Sequence, residues 1–465
     1  MDSESLPAEL AIAAGTLPEL VSEMEIRVPY ATALLARTGG LQVSVSHREQ
    51  RVTETPLSQG FVLTAWNGTS FEEAASTDLE RKHMLQMARR FAETVDVSSS
   101  PGAIDPGPPT RAHFATSCTK DPTRLSPKDK LGFCVDLHSK ARELDPRIVN
   151  VEVRYVESQE TKVFASRTKQ LSQNVLRPRL IIQVFVSDGR QLQYDWLTKD
   201  GTGGLELIQV TDEELRRLSH SAVALLSAGK VPPGMYDVIC APDVSGVIAH
   251  EAFGHGVELD MFLKDRARSR QYLGKPVASS LVDILDDPSH PAGRGSYFFD
   301  DEGQLASPTY IIRNGVFERG LSDLFSAHSL GVPRSANGRR ESFERKVYAR
   351  MSNTFFARGD TPVQDMIESV EHGVYLQHVS SGMEDPKGWG MQVTSHYGEE
   401  ILHGKLTGRI FAPVGITGYV PDILQSISAV GDDFALDGGT CGKGHKEWAP
   451  VSSGGPHLKL KARLG

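Results

Sequence analysis

Tyr236-Asp237-Val238-Ile239-Cys240-Ala241-Pro242-Asp243, continued by Val244-Ser245-Gly246-Val247-Ile248-Ala249-His250-Glu251-Ala252-Phe253-Gly254-His255-Gly256, is the stretch from which the rest of the chain can be read. Its first seven residues have the character of a strand. Asp243 then reads as the cap of a helix, and Val244, Val247 and Ile248 as the apolar positions that helix buries. His250 and Glu251 follow near its end. Imidazole is the commonest protein ligand of transition metals, and a carboxylate beside a metal-bound water can take that water's proton. Residues five apart on a regular helix are separated by roughly 140° in azimuth, at about 3.6 residues per turn. His250 and His255 can therefore meet at one ion only if the helix bulges or ends between them. Gly254 and Gly256 make either solution inexpensive. The stretch predicts a distorted helix end at a metal site.

A catalytic zinc site usually has three protein ligands and an open position. Cys240, Cys441, His445 and the pair Glu399-Glu400 are the candidates for the third. Cys240, on the preceding strand, reads better as a small buried apolar residue. Cys441 lies in Gly438-Gly439-Thr440-Cys441-Gly442-Lys443-Gly444, where glycines let the backbone approach a ligand, so a thiolate is well placed there. Glu399-Glu400 reads equally as a solvated strand edge.

The chain has 465 residues, 39% of them hydrophobic and 23% charged, which fits a folded protein of two or three domains. A net charge of -9 with no Lys/Arg-dense run argues against direct nucleic-acid contact. Apolar runs such as Leu180 to Val186 are too short to cross a bilayer. The acidic start Met1-Asp2-Ser3-Glu4-Ser5 is unlike a secretion signal. Cys118, Cys134, Cys240 and Cys441 have no framework spacing, so a reduced, cytoplasmic protein is expected.

Before residue 230 one order of elements occurs twice. A partly helical start leads to a strand around Leu41 to Val45. Phe61 to Trp66 and Thr69 to Phe71 then form a hairpin turning at Asn67-Gly68, a type I′ signature. A capping box of Thr77 and Glu80 opens a helix to about Ala92. After the Ser/Pro/Gly-rich loop from Ser98 to Pro109, Ser126-Pro127 starts a second helix and Val149 to Val156 a second strand. A second hairpin turns at Asp188-Gly189, and Thr211 with Glu214 caps a helix running to about Gly229. Lys230-Val231-Pro232-Pro233-Gly234 breaks the pattern. Short β-type runs dominate thereafter, with one further helix from Thr361-Pro362 to about Glu371. The expected fold class is α+β. Residues 1–229 form a mixed N-terminal domain, with a candidate internal repeat of units 1–110 and 111–229. Residues 230–465 form a mostly-β, barrel-like domain carrying the metal-motif helix.

Several C-terminal segments resemble the TldD/PmbA family of metalloproteases. They are His250 to Glu258, Asp300-Asp301-Glu302-Gly303, Asn337-Gly338-Arg339-Arg340-Glu341-Ser342, Arg350-Met351-Ser352-Asn353-Thr354 and Cys441-Gly442-Lys443, in the family's order. The N-terminal half is similar in layout only. The resemblance implies the catalytic, TldD-like type of subunit, because PmbA/TldE-like paralogues lack the histidine motif. It implies one zinc ion on His250, His255 and Cys441, with Glu251 as the base that activates water. Short or unfolded peptides would be the substrates, including modified peptide precursors and antitoxin fragments. The assembly would be a dimer with a PmbA/TldE-like paralogue or with a second copy, its site enclosed in a chamber. Where the family commonly continues Cys-Gly-Lys with Gly-Gln, this chain has Gly444-His445-Lys446-Glu447-Trp448. His445 there is a candidate competing ligand or pocket residue, and Trp448 a candidate pocket residue. The stretch Ser381 to Gly390 looks like an insertion, and both differences bear on substrate choice.

Glu258 is expected to orient a ligand histidine, or else to be a solvated helix-end charge. Arg339, Arg340 and Arg350 are candidates for binding a peptide carboxylate, against the blander reading of salt bridges inside the β domain. Asp300 to Gly303 reads as a turn rather than a calcium loop. The competing function is a non-catalytic, partner-binding or regulatory subunit that keeps a structural or vestigial metal site. A purely structural metal has no use for a base at Glu251.

Overall fold

The computed structural model describes residues 8–99, 102–444 and 446–465. The N-terminal half runs α1 (Ala8–Glu25), β1 (Tyr30–Val45), β2 (Gln50–Trp66), β3 (Phe71–Ser76), α2 (Arg81–Thr94), β4 (Thr110–Ala115), α3 (Pro127–Arg142), β5 (Ile148–Ser166), β6 (Lys169–Ser187), β7 (Leu192–Asp200) and α4 (Asp212–Ala224). All seven strands join one sheet in the order β3-β2-β1-β5-β6, with β4 and β7 both on β6. β1 and β5 pair antiparallel at its centre, and a helix–three strands–helix order lies on either side of that pair.

The period-two geometry of the strands assigns the two faces of this sheet. Ala31, Ala33 and Leu35 of β1 pack with apolar residues of α1 and α2. Further along β1, Leu41, Val43 and Val45 pack with residues of α3 and α4. The intervening Leu34 points the other way, into a cluster with Val62, Phe164, Leu171 and Phe299. Four helices thus cover one face, and the other lies against the C-terminal half.

That half contains β8 (Gly234–Cys240), α5 (Pro242–Phe253), α6 (Leu259–Leu263), β9 (Ile284–Asp286), β10 (Thr309–Arg313), β11 (Val316–Phe317), α7 (Leu324–Leu330), β12 (Gly338–Arg339) and β13 (Tyr348–Ala349). It continues with β14 (Asn353–Phe356), α8 (Val363–Glu368), β15 (His372–Asp385), β16 (Gly390–Leu402), β17 (Lys405–Phe411), β18 (Val414–Tyr419), α9 (Val420–Gln425), β19 (Ala429–Val430), β20 (Ala435–Cys441), β21 (Ala449–Gly455) and β22 (Leu458–Leu464). Strands β15, β8, β22, β18 and β16 follow one another, and β16 pairs back onto β15, which closes a five-stranded barrel. A second sheet has the order β11-β10-β9-β14-β21-β20, with β20 at its edge. The expected α+β class and barrel-like C-terminal half are what the structure contains. No helix among the described residues is long and apolar enough to cross a membrane.

Local expectations fared unevenly. α3 starts after Ser126 as expected, and Asp129 adds a reciprocal bond that makes a capping box there; the expected box of Thr211 with Glu214 forms on α4. α4 ends at Ala224 and tightens into a 3-10 turn over Leu225–Ser227, so Gly229 does not cap it. Thr77 does not cap α2 either. Asp78 accepts from the Glu80 N–H and pairs with His83, a local aspartate turn that displaces the capping box. The Asn67-Gly68 hairpin forms, but as a longer loop. The Asn67 N–H bonds Ser70 O, its side-chain oxygen accepts from the Thr69 and Ser70 N–H groups, and Gly68 has the positive φ. α8 stops at Glu368, because Gly373 already belongs to β15.

Candidate metal centre

α5 lies between the barrel and the second sheet, packed on β15, β14 and β21. It begins with Pro242, a residue suited to the first helical turn, after Ala241 as N-cap. Asp243 is therefore not the cap. Its carboxylate instead accepts from the Val379 N–H at 2.7 Å and ties the helix to β15. The crossing with β21 is made by two glycines. A Cβ on Gly246 would lie 2.2 Å from the Gly454 backbone nitrogen, so only a bare backbone lets the helix sit this close. That closeness brings α5 beside β20, the strand that ends in Cys441.

The helix stops at Phe253, and His255–Val257 turn as a short 3-10 segment. The expected break between the two histidines is present. It leaves His250 Nε2 at 3.3 Å and His255 Nε2 at 3.1 Å from Cys441 Sγ. The imidazole planes are almost perpendicular, at 87°. The ligand atoms of these three residues all lie within 4.8 Å of one another. Zinc bonds of about 2.0 Å to nitrogen and about 2.3 Å to sulfur, at a tetrahedral angle, put such atoms roughly 3.5 Å apart. The nitrogen–nitrogen–sulfur donor set and its spacing fit zinc.

Charged residues surround the three. Glu258 Oε2 is 3.6 Å from His255 Nδ1, while its carboxylate also pairs with Arg350 Nε at 3.3 Å and Lys443 Nζ at 3.0 Å. Burial would raise the Glu258 carboxyl, but Lys443, His255 and Arg350 hold it far below the usual range. Burial would likewise raise the Cys441 thiol, and the two imidazoles overcome this to bring it to about 5. His255, whose burial opposes a charge, is raised well above its ordinary value by Cys441 and Glu258. Arg350 also donates to Cys441, to its carbonyl oxygen at 3.1 Å and to its sulfur at 3.2 Å. Lys443 reaches Asp260 at 2.6 Å. In contrast, the buried Nδ1 of His250 has no hydrogen-bond partner among the described residues.

Glu251 lines the same cavity, of about 560 Å³, as His250, His255 and Cys441. The other sequence candidates lie elsewhere. Cys240 is buried in barrel strand β8, and burial pushes its thiol up. Glu399 and Glu400 bind their own β16–β17 hairpin, through Gly408 and Thr407. Arg339 donates to Met351 O and lies over the Tyr297 ring, and Arg340 pairs with Glu73 of the N-terminal sheet. Neither lines the cavity, and the donors of Arg350 are taken up by Glu258, Cys441 and Glu447. His445 lies outside the described residues. Asp300 to Gly303 forms a buried turn in which Asp300 accepts from the Glu302 and Gln304 N–H groups. Sequence reasoning gave no role to Lys443 or to Glu384, which also lines the cavity. Lys443 stands two residues after Cys441, a proximity that carried a signal. Glu384 had none beyond lying in the insertion-like stretch, which proves to be the β15–β16 hairpin.

Residues 233–463 match the family described as the PmbA/TldA metallopeptidase C-terminal domain. A metalloprotease of Methanothermobacter thermautotrophicus is 29% identical over 457 residues, covering 96% of this chain and 97% of its own. A metalloprotease TldD homolog of Buchnera aphidicola is 31% identical over 353 residues, 72% of each chain. Among solved structures, TldE from Thermococcus kodakarensis superimposes with a TM-score of 0.73 at 16% identity, over 96% of this chain and 99% of its own. A Thermotoga maritima protein, named as a candidate modulator of a DNA gyrase, gives 0.78 at 17% identity, over 96% and 98%.

Proposed function

Because the chain belongs to the PmbA/TldD metallopeptidase family, we propose that it is a zinc-dependent peptidase of the TldD type, acting on short or unfolded peptides. The observation that carries this reading is the meeting of His250, His255 and Cys441 in one cavity with Glu251. Those three residues would hold one zinc ion. Bound there, zinc supplies Lewis acidity, polarising a carbonyl and lowering the pKa of water to about 7. Glu251 accepts the proton of the attacking water and returns it to the leaving amine. Glu258 keeps His255 oriented, with Arg350 and Lys443 balancing its charge, as outer partners of metal-bound histidines commonly do.

The unit that performs this is residues 230–465, with residues 1–229 packed against it as a mixed domain. A dimer with a TldE-like paralogue or with a second copy is the working assembly. The four cysteines are unpaired, in keeping with a reducing, cytoplasmic setting. The alternative, a regulatory subunit with a vestigial metal site, leaves Glu251 without a task.

The test is a chelator-sensitive cleavage assay on unstructured peptides, with and without a TldE-like partner. Glu251→Gln is expected to keep its zinc by elemental analysis and to lose about 10²–10⁴-fold in kcat. His250→Ala and Cys441→Ala are expected to lose the metal itself. Undiminished peptidase activity in Glu251→Gln would remove the assignment.

A further inference from the structure

Glu384 stands in the cavity with both carboxylate oxygens buried and neither hydrogen-bonded among the described residues. A buried acid without donors is costly to a fold, and such groups call for an explanation in function. Its hairpin gives it little freedom to turn elsewhere. Asp385 accepts from the Lys387 and Gly388 N–H groups, and Pro386 O accepts from the Arg268 N–H. Trp389, at the far side of the turn, is fully buried in the core. Gly256, packed beside it, provides the room, since a Cβ there would come within 2.9 Å of Glu384 Oε1.

Apart from the ligand histidines His250 and His255, the titratable groups of the lining are all acids: Glu251, Glu384 and Asp437, with no lysine or arginine among the described lining residues. Burial raises the Glu384 carboxyl to about 9 and the Asp437 carboxyl to about 7, so an arriving cation is what would ionise them. The nearby cations Arg350 and Lys443 are turned to Glu258. Met383 and Trp448 are 63% and 47% exposed and add apolar surface beside the acids, and the face of an indole itself attracts a cation.

We propose that Glu384 binds a positively charged amine of the peptide, and so selects substrates that present a cation beside the cleaved bond. The amine is either the terminal ammonium or a lysine side chain, each offering the same N–H donors. This rests on the peptidase reading above and adds the substrate class to it.

The test uses three unstructured alanine-rich tetrapeptides: one with a free amino terminus, one N-acetylated, and one N-acetylated with a single lysine. They are titrated into the full-length, zinc-loaded Glu251→Gln protein, in which bound peptide stays uncut. The free or the lysine peptide is expected to bind about tenfold more tightly than the acetylated, lysine-free one, as a charge-assisted hydrogen bond provides. Which of the two gains identifies the source of the amine. Adding Glu384→Gln is expected to erase the advantage while zinc content and thermal midpoint stay as before. Equal binding of the three peptides, no binding of any, or a preference that survives Glu384→Gln overturns the proposal. The peptide comparison stands even where the added substitution impairs folding. Chelator-sensitive cleavage of all three peptides at equal kcat/KM by the unsubstituted protein would leave the peptidase reading intact and remove this one. A binding preference without any cleavage would do the reverse.

Discussion

Arg350 is the residue on which the charges of the candidate site converge. It is 1% exposed, and its guanidinium touches Glu258, the Cys441 carbonyl and the Cys441 sulfur. A buried ion pair is weak evidence for net stability, but removing one partner leaves the other charged and dry. Arg350→Met is therefore expected to destabilise the protein by about 3–5 kcal/mol, read from the shift of its urea unfolding midpoint. Zinc affinity should fall with it, since Glu258 would be left with only Lys443 and His255, and Cys441 would lose a donor. An unchanged midpoint would mean that Arg350 is a spectator. Nothing in the sequence separates Arg350 from Arg339 and Arg340. All three stand in motif segments, and only the fold shows that one faces Cys441 while another faces Glu73.

At the scale of elements, the end of α5 is the part that was legible beforehand. The five-residue step between His250 and His255 and the glycines around it require a helix end, and α5 stops at Phe253. The alternation of strands, the helix start at Ser126-Pro127 and the cap pair Thr211–Glu214 were legible for the same reason, because they depend on neighbours in sequence. Asp243 was not, since its carboxylate serves a strand residue 136 positions away in sequence. Nor was the crossing of α5 with β21. Gly246 reads as an indifferent helix residue until Gly454 is placed against it. Gly246→Ala drives a methyl group into backbone that has no rotamer to yield. The expected cost is about 1–3 kcal/mol in stability, as for other overpacked positions. The displacement of α5 from β20 should also weaken zinc binding. A competition titration against a chromophoric chelator measures that, and unaltered affinity would show that the glycine pair does not set the site.

For the whole molecule the question is what holds the two halves against each other, since β20 and the cavity lie beside their junction. Buried charges cross it. Lys162 of β5 pairs with Asp301 at 2.7 Å, and Arg177 of β6 donates to the Arg294 and Ser296 carbonyls. His378 of β15 meets Asp195 of β7 at 3.1 Å. Glu160 lies among them, its side chain 15% exposed, 3.3 Å from Lys162 and 3.7 Å from Arg177. Burial alone would raise its carboxyl, but Lys162, Arg177 and Arg339 bring it from 4.5 down to about 2. A depressed acid contributes stability above its unfolded pKa and loses it as pH falls through the folded one. The contribution of Glu160 is thus in place at neutral pH and disappears between about pH 4.5 and 2. Asp300 and Glu302 in the same region are raised, chiefly by burial, and act in the opposite sense, so the acid limb of the parent protein alone would mix the two. Comparing the parent with Glu160→Gln separates them. The stability difference between the two proteins should be at most roughly 3–4 kcal/mol at pH 7, at 1.36 kcal/mol per pKa unit, and should shrink toward zero as pH falls to about 2. A difference that stays constant from pH 7 to 3 would place the effect of Glu160 in packing. The charges across the junction would then not be what makes it sensitive to acid.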